Sequence, residues 1–332
     1  MAETSAIEWT DATWNPILGC TLESPGCRDC YAMQLAGTRL KNHPSRKGLT
    51  RMTKTGPVWT GEVRFWEPWA VQPLHWRRPR RIFVCAHADL FHPDVPDEWI
   101  DRILAVIALA GHHTFQILTK RSARMLAYFS DPDWRRRVLL WVQKLKPSSL
   151  WNGSAYQAGH ELDTNGVLPN LWLGVSIEDA TRQHERTHDL AQTPAAYRYF
   201  SCEPLLGPLD LFAELGLPPV MSPPWVDLVI VGGESGDHRA RPMHPAWARS
   251  IRDQCAAAGV AFMFKQRGAW TWREADDGQD WAPQRRLDIS GKLLPLDSPR
   301  CRPDEIDVRW VGKGKAGRLL DGQIHDGLPL AA

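Results

Sequence analysis

No stretch of the 332 residues approaches the ~18–20 consecutive apolar residues that a helix needs to cross a bilayer. The opening segment, Met1 to Trp9, carries Glu3 and Glu8 and lacks the basic-then-apolar order of a secretory signal, so a cytoplasmic location is expected. Charge of one sign is also missing. The 40 Lys and Arg face 38 Asp and Glu, and a net +2 is too small to name a partner. Internal repeats and low-complexity tracts are absent. With 43% hydrophobic and 23% charged residues, the composition is that of a folded globular protein and not of a disordered one.

Two residue types stand out against this background. The 17 tryptophans serve mainly core and groove packing, and a stacking surface for a planar substrate is a second use. The seven cysteines are an odd number, and Cys20, Cys27 and Cys30 fall within eleven residues. In a reducing compartment such crowding points to metal ligation before disulfides.

Short apolar runs recur at Arg81–Ala86, Thr114–Leu118, Leu171–Val175, Tyr197–Ser201, Val226–Val231 and Val260–Phe264. They do not alternate strictly, as befits parallel strands buried on both faces. A shorter first strand is expected near Asn15–Leu18. Helical patterns lie between them. One opens at Pro96-Asp97 and closes at Gly111, another runs from Pro245 to Gly259, and Trp134–Leu145 and Glu178–Leu190 complete the alternation. About seven strand–helix units imply an α/β fold, a partial or complete (β/α) barrel. Residues 1–268 would form it, with insertions at 42–72 and 147–170, and 269–332 would be an irregular C-terminal cap.

The segment Gly19-Cys20-Thr21-Leu22-Glu23-Ser24-Pro25-Gly26-Cys27-Arg28-Asp29-Cys30-Tyr31 follows the first strand and enters a helix expected over Cys30–Leu40. Cys27 and Cys30 share one side of a helical turn, and the six residues after Cys20 are ample to fold it back toward them. Three thiolates without a fourth suit a [4Fe–4S] cluster with one open iron. A zinc site completed by His43, or three unrelated structural thiols, are the other readings.

This loop, placed after the first strand of a (β/α) barrel, resembles the radical S-adenosylmethionine superfamily. More closely, the chain resembles a family of three-cysteine proteins encoded by bacteriophages and bacterial chromosomes. The matching segments are Ile7–Pro16, Cys20–Tyr31, Phe115–Arg121, Ser201–Leu205, Gly232–Gly236, Phe264–Gln266 and Leu319–Gly322. The superfamily's usual first cysteine gap is three residues, whereas this chain has six; the final two-residue gap and the following aromatic, Tyr31, are kept. The resemblance implies that Cys20, Cys27 and Cys30 ligate the cluster and that S-adenosylmethionine chelates its open iron. It implies reductive cleavage to a 5′-deoxyadenosyl radical, driven by an external flavodoxin- or ferredoxin-type donor.

Chemistry in such a barrel gathers at the carboxyl ends of the strands. The polar residues there are His87 and Asp89, Thr119-Lys120-Arg121, Ser176 and Glu178, Cys202 and Glu203, Gly232-Gly233-Glu234, and Lys265-Gln266. By resemblance, Ser176 and Glu178 would hold the cofactor's ribose. Lys120 or Arg121 would take its carboxylate, and Gly232, Gly233 and Glu234 its amino group. Cys202, Glu203, Asp89 and Lys265 are the candidate catalytic residues. Each also has a plain reading as a helix cap, a rim ion pair or a buried thiol.

Basic residues interleave with aromatics at Arg77, Arg78, Arg80 and Arg81 beside Trp76, and at Arg135, Arg136 and Arg137 beside Trp134. A third patch runs from Ser45-Arg46-Lys47 through Arg51 and Lys54. Such interleaving fits a phosphate backbone with stacked bases, although a charge run is more often a solvated face. Nucleic acid repair or modification is therefore one expected role, and a peptide or small metabolite is another substrate class. The competing function is a metal-stabilised nucleic-acid-binding protein, holding zinc or an iron–sulfur cluster, without radical catalysis.

Overall fold

A computed structural model describes residues 4–145, 162, 166–212, 225–273, 282–299 and 302–328. Seven strands form one sheet: β1 Ala12–Trp14, β2 Arg81–Val84, β3 Thr114–Thr119, β4 Leu171–Ser176, β5 Tyr197–Cys202, β6 Leu228–Gly232 and β7 Ala261–Gln266. Their spatial order repeats their chain order, β1 to β7, which is the topology of a barrel wall and not of a doubly wound sheet. β1 and β7 are the ends of that order, so among the described residues the sheet is open and the partial alternative holds. The chain divides into two compact units.

The first unit comprises residues 1–23, 32–175 and 186–198. Within it β1 pairs parallel with β2, β2 with β3, and β3 with β4. All six residues of β4 are buried, which is why its sequence runs apolar without alternation. The short helix α1, Tyr31–Gly37, enters this unit, and the longer ones are α2 Asp97–Leu109, α3 Ser122–Ser130 and α4 Trp134–Leu145. Pro96 caps α2 in an extended conformation, and Asp97 and Glu98 complement its amino-terminal dipole. Ile100, Ile103, Leu104 and Ile107 bury its inner face. In α4 the inner face is Trp134, Val138 and Val142, one every four residues.

Several expectations need correcting here. The first sheet strand is Ala12–Trp14 and not Asn15–Leu18; Ile17–Leu18 instead pairs antiparallel with Arg64–Phe65. α1 ends at Gly37, short of Leu40. Helix α3 is an element beyond the expected helical patterns. Residues 42–72, expected as a loop, contain the hairpin Thr50–Thr53/Gly56–Trp59 and a 3-10 turn at Glu67–Trp69. Most of the expected insertion at 147–170 lies outside the described residues.

The second unit comprises residues 24–31, 176–185 and 199–332. β5 pairs with β6 and β6 with β7, all parallel. The helix α5, Ala180–Gln192, has its first six residues in this unit and starts two residues later than the apolar pattern suggested. Helix α6, Pro245–Ala258, buries Trp247, Ile251 and Cys255 and stops at Gly259, whose φ is 68°. The C-terminal segment is more regular than expected. β8 Trp270–Trp272, β9 Arg285–Leu287, β10 Leu293–Leu294 and β11 Ile306–Trp310 make a four-stranded antiparallel sheet in the order β8-β11-β9-β10. Beyond it, Gly327 N–H donates to Phe262 O of β7 at 3.0 Å.

Candidate functional site

Polar side chains concentrate at the carboxyl ends of the parallel strands in both units. In the first, Gly19 bridges to Ala88 just past β2, and its φ of 88° turns the chain where any Cβ would lie 2.0 Å from Glu62 O. This close approach aims the next residue, Cys20, at the end of β3. There Arg121 spreads its guanidinium over the loop. Nη1 donates to Asp89 Oδ2 at 3.0 Å and to Cys20 Sγ at 3.6 Å, and Nη2 donates to Thr21 Oγ1 at 2.8 Å and Thr21 O at 3.1 Å. Glu23 lies 3.6 Å from Nε.

Asp89 fixes this arrangement from beneath. Its Oδ1 accepts from Thr119 Oγ1 at 2.7 Å and from Phe91 N at 3.0 Å, while Oδ2 also accepts from Lys120 N at 3.0 Å. Burial opposes the charge on Arg121, but Asp89 and Cys20 outweigh it and hold the guanidinium above its ordinary pKa. The neighbouring His92, on Thr21 Oγ1 at 2.9 Å, has its pKa lowered by burial and by the Arg121 charge.

In the second unit, Cys27 closes the 3-10 turn Pro25–Cys27 and Cys30 stands just before α1. Glu178, fully buried, supports this turn: Ser24 Oγ donates to its Oε1 at 2.7 Å, and Ser24 Oγ lies 3.9 Å from Cys27 Sγ. A Cβ on Gly26 would meet Glu178 Oε1 at 2.6 Å, so only glycine lets the turn lie this close to the carboxylate. Ser176, buried at the end of β4, also belongs to this unit.

Glu203, after β5, receives Lys265 Nζ at 3.0 and 2.7 Å and Gln266 Nε2 at 2.9 Å. Burial would raise its pKa, but Lys265 and Gln266 reverse the sign and leave it below the ordinary carboxylate value. Gln266 also donates to Gly233 O at 2.8 Å, and Gly233 N–H returns a bond to Gln266 O at 3.0 Å; Leu205 N–H binds Gly232 O at 2.9 Å. Buried Glu234 is paired with Arg241 on both oxygens and with Arg28 at 3.5 Å. Cys202 is fully buried, and that burial, with Cys255 and Glu178 nearby, pushes its thiol pKa well up. That environment favours the protonated thiol over the thiolate.

Three thiols are a donor set that an iron–sulfur cluster could take. The six described cysteines form no disulfide. Among the described residues no three His, Cys, Asp or Glu side chains form a group that would hold a metal ion. Thiolates around one zinc sit within about 4 Å of each other, as a Zn–S distance of about 2.3 Å requires. His43, the fourth ligand in the zinc reading, has Nδ1 on Ser45 Oγ at 2.7 Å.

Residues 4–329 match a family model described as "Protein of unknown function (DUF5131)". The chain belongs to that family. No curated protein and no solved structure matches it.

In this DUF5131 chain the basic runs divide between structural and exposed arginines. Arg81 is bound to Asp11 through its backbone N–H at 2.8 Å and its Nη2 at 3.1 Å. Arg137 binds Asp101 at 3.0 Å and Asp131 at 2.5 Å, and Arg135 lies on the Trp134 ring at 5.2 Å and reaches Gly166 O at 3.4 Å. Arg80 lies over Trp76 at 5.1 Å. Arg136, paired with Asp133 at 3.1 Å, is exposed, as are Arg77 and Arg78. Arg46, in the third patch, is only 3% exposed. Thr21, Ser24, His92 and Arg241 leave no trace in the sequence pattern, because single hydroxyl, imidazole and guanidinium groups in loops carry no spacing signal.

Proposed function

We propose that this chain is an iron–sulfur, S-adenosylmethionine-dependent radical enzyme, with Cys20, Cys27 and Cys30 as the cluster's ligands and nucleic acid as its substrate class. The observation that carries this reading is the contact between Arg121 and Cys20. A structural cysteine has no need of a buried cation, whereas thiolates on an anionic cluster are stabilised by N–H donors and positive charge at the sulfur. Asp89 orients that cation, and Thr21 accepts its other arm.

When bound, the reduced cluster and S-adenosylmethionine would supply a 5′-deoxyadenosyl radical, the electron coming from a flavodoxin- or ferredoxin-type donor. The chain's own residues do the holding. Glu178 keeps the Ser24–Cys27 turn in place, and with Ser176 it offers acceptors for ribose hydroxyls. Lys120 is the cation at this strand end proposed for the cofactor's carboxylate. Gly232, Gly233 and Glu234 are proposed for its amino group. Lys265 neutralises Glu203, so that this strand end presents a fixed, charge-balanced pair to a substrate.

Anaerobic reconstitution with iron and sulfide tests the reading. About four irons per chain should load, and dithionite with S-adenosylmethionine should yield 5′-deoxyadenosine, both lost in Cys27→Ala. A fully loaded cluster that leaves the cofactor intact would defeat the radical chemistry. A colourless protein with one zinc would favour the metal-stabilised binding protein instead.

A further inference from the structure

The basic patches read from sequence are not equivalent once folded. Arg81, Arg135 and Arg137 are engaged in internal contacts, which leaves the segment 38–66 as the strongest positive feature: seven Lys and Arg against one acid, Glu62. This segment folds upon itself within the first unit. Arg64 donates to Pro44 O at 3.1 Å and to Lys47 O at 3.2 Å, and Thr60 N–H donates to Leu49 O at 2.9 Å. Arg39, Lys41, Lys47, Arg51 and Lys54 are all exposed.

Beside these cations lies an aromatic surface. Trp66 and Trp69 are half-buried with ring centres 6.0 Å apart, and exposed His43 stacks on Trp69 at 6.0 Å and 30°. Beneath Trp69 is Arg46, its Cζ 5.5 Å from the ring centre. Arg46 bonds to Ser45 Oγ at 2.8 Å and His87 Nδ1 at 2.7 Å. Among the described residues no carboxylate pairs with it. Burial lowers its pKa to about 10, so it stays charged at neutral pH, and its charge helps push His87 down to about 4 and keep it neutral. A cation under a half-buried aromatic ring, with no carboxylate beside it among the described residues, adds positive potential to the face that ring presents.

We infer that the Trp66–Trp69–His43 face and the basic loop beside it bind single-stranded nucleic acid, with bases stacked on the rings and phosphates on Lys41 and Lys47. A duplex keeps its bases stacked on one another and offers no free face, so the surface selects single strands. An acidic polypeptide would satisfy the cations but leave the rings bare. The inference rests on the nucleic-acid part of the proposed function and needs neither cluster nor cofactor.

The test is fluorescence anisotropy with labelled 20-nucleotide DNA and RNA, single-stranded and duplex, run on both wild type and Cys27→Ala without reductant. Single strands should bind and quench tryptophan emission, and affinity should fall roughly tenfold or more between about 50 and 200 mM salt. Trp66→Ala should weaken binding about tenfold. The exposed-site variants Lys41→Glu and Lys47→Glu, which disturb no packing, should do so as well. Arg77→Ala combined with Arg78→Ala should leave binding intact. The inference is overturned if duplex binds as well as single strand, if polyglutamate competes equally, if the Lys41 and Lys47 reversals change nothing, or if the Arg77/Arg78 variant alone abolishes binding. Binding by Cys27→Ala with no cofactor cleavage by wild type would sink the radical reading and spare this one.

Discussion

At the scale of single residues, the end of β3 shows how much rests on one ion pair. Arg121 and Asp89 are each less than a tenth exposed, and each also bonds to groups of the neighbouring loops. Removing one partner strands a buried charge, which costs about 3–5 kcal/mol. Arg121→Met should therefore destabilise the protein by about 3 kcal/mol. Asp89→Asn should cost a comparable amount, and the double variant should be little worse than Arg121→Met alone. Urea unfolding of the three variants measures this; fully additive losses would show that the pair is not coupled. Part of this is legible in the sequence, since Asp89 and Arg121 each follow an apolar run. Their mutual contact is not, because 32 positions separate them and only the parallel register of β2 and β3 brings the two strand ends together.

At the scale of elements, α2, α3 and α4 are joined through Asp101. It accepts from Tyr128 Oη at 2.6 Å and from Arg137 Nε at 3.0 Å, and its pKa is raised by burial despite both partners. Arg137→Ala should cost about 3 kcal/mol through the stranded Asp101, whereas Arg136→Ala, on the exposed side of α4, should stay within about 0.5 kcal/mol. Thermal unfolding of the two variants separates them, and equal small effects would remove Asp101 as the joint. Sequence alone makes Arg135, Arg136 and Arg137 look alike, because a charge run does not reveal which member faces inward. The parallel strands were legible for the opposite reason: burial on both faces leaves an unbroken apolar run at Leu171–Val175 or Leu228–Val231. β1 was misplaced because Ala12–Trp14 is three residues long with Thr13 between its apolar pair, while the more apolar Ile17–Leu18 belongs to a different ladder.

For the molecule as a whole, acid stability follows from its buried imidazoles. Burial, reinforced by His112 at His113 and by Arg46 at His87, lowers both histidines to about 4. The unfolded chain takes up these protons near pH 6.5; the folded one resists until about 4. Stability is thus complete above the unfolded value and declines as pH falls through that window. The melting temperature should be level from about pH 7 to 8 and drop by several degrees between about 6.5 and 4.5, with a shallower drop in His113→Gln. A flat profile in the wild type would contradict the burial of these rings. Charge distribution has a second molecular consequence. Residues 38–66 carry seven cations and one anion, a net +6, which leaves the rest of this +2 chain at −4. Near any polyanion the protein therefore feels a torque as well as an attraction. It should arrive already turned, the loop around Lys47 foremost, with a capture rate that falls as salt is added.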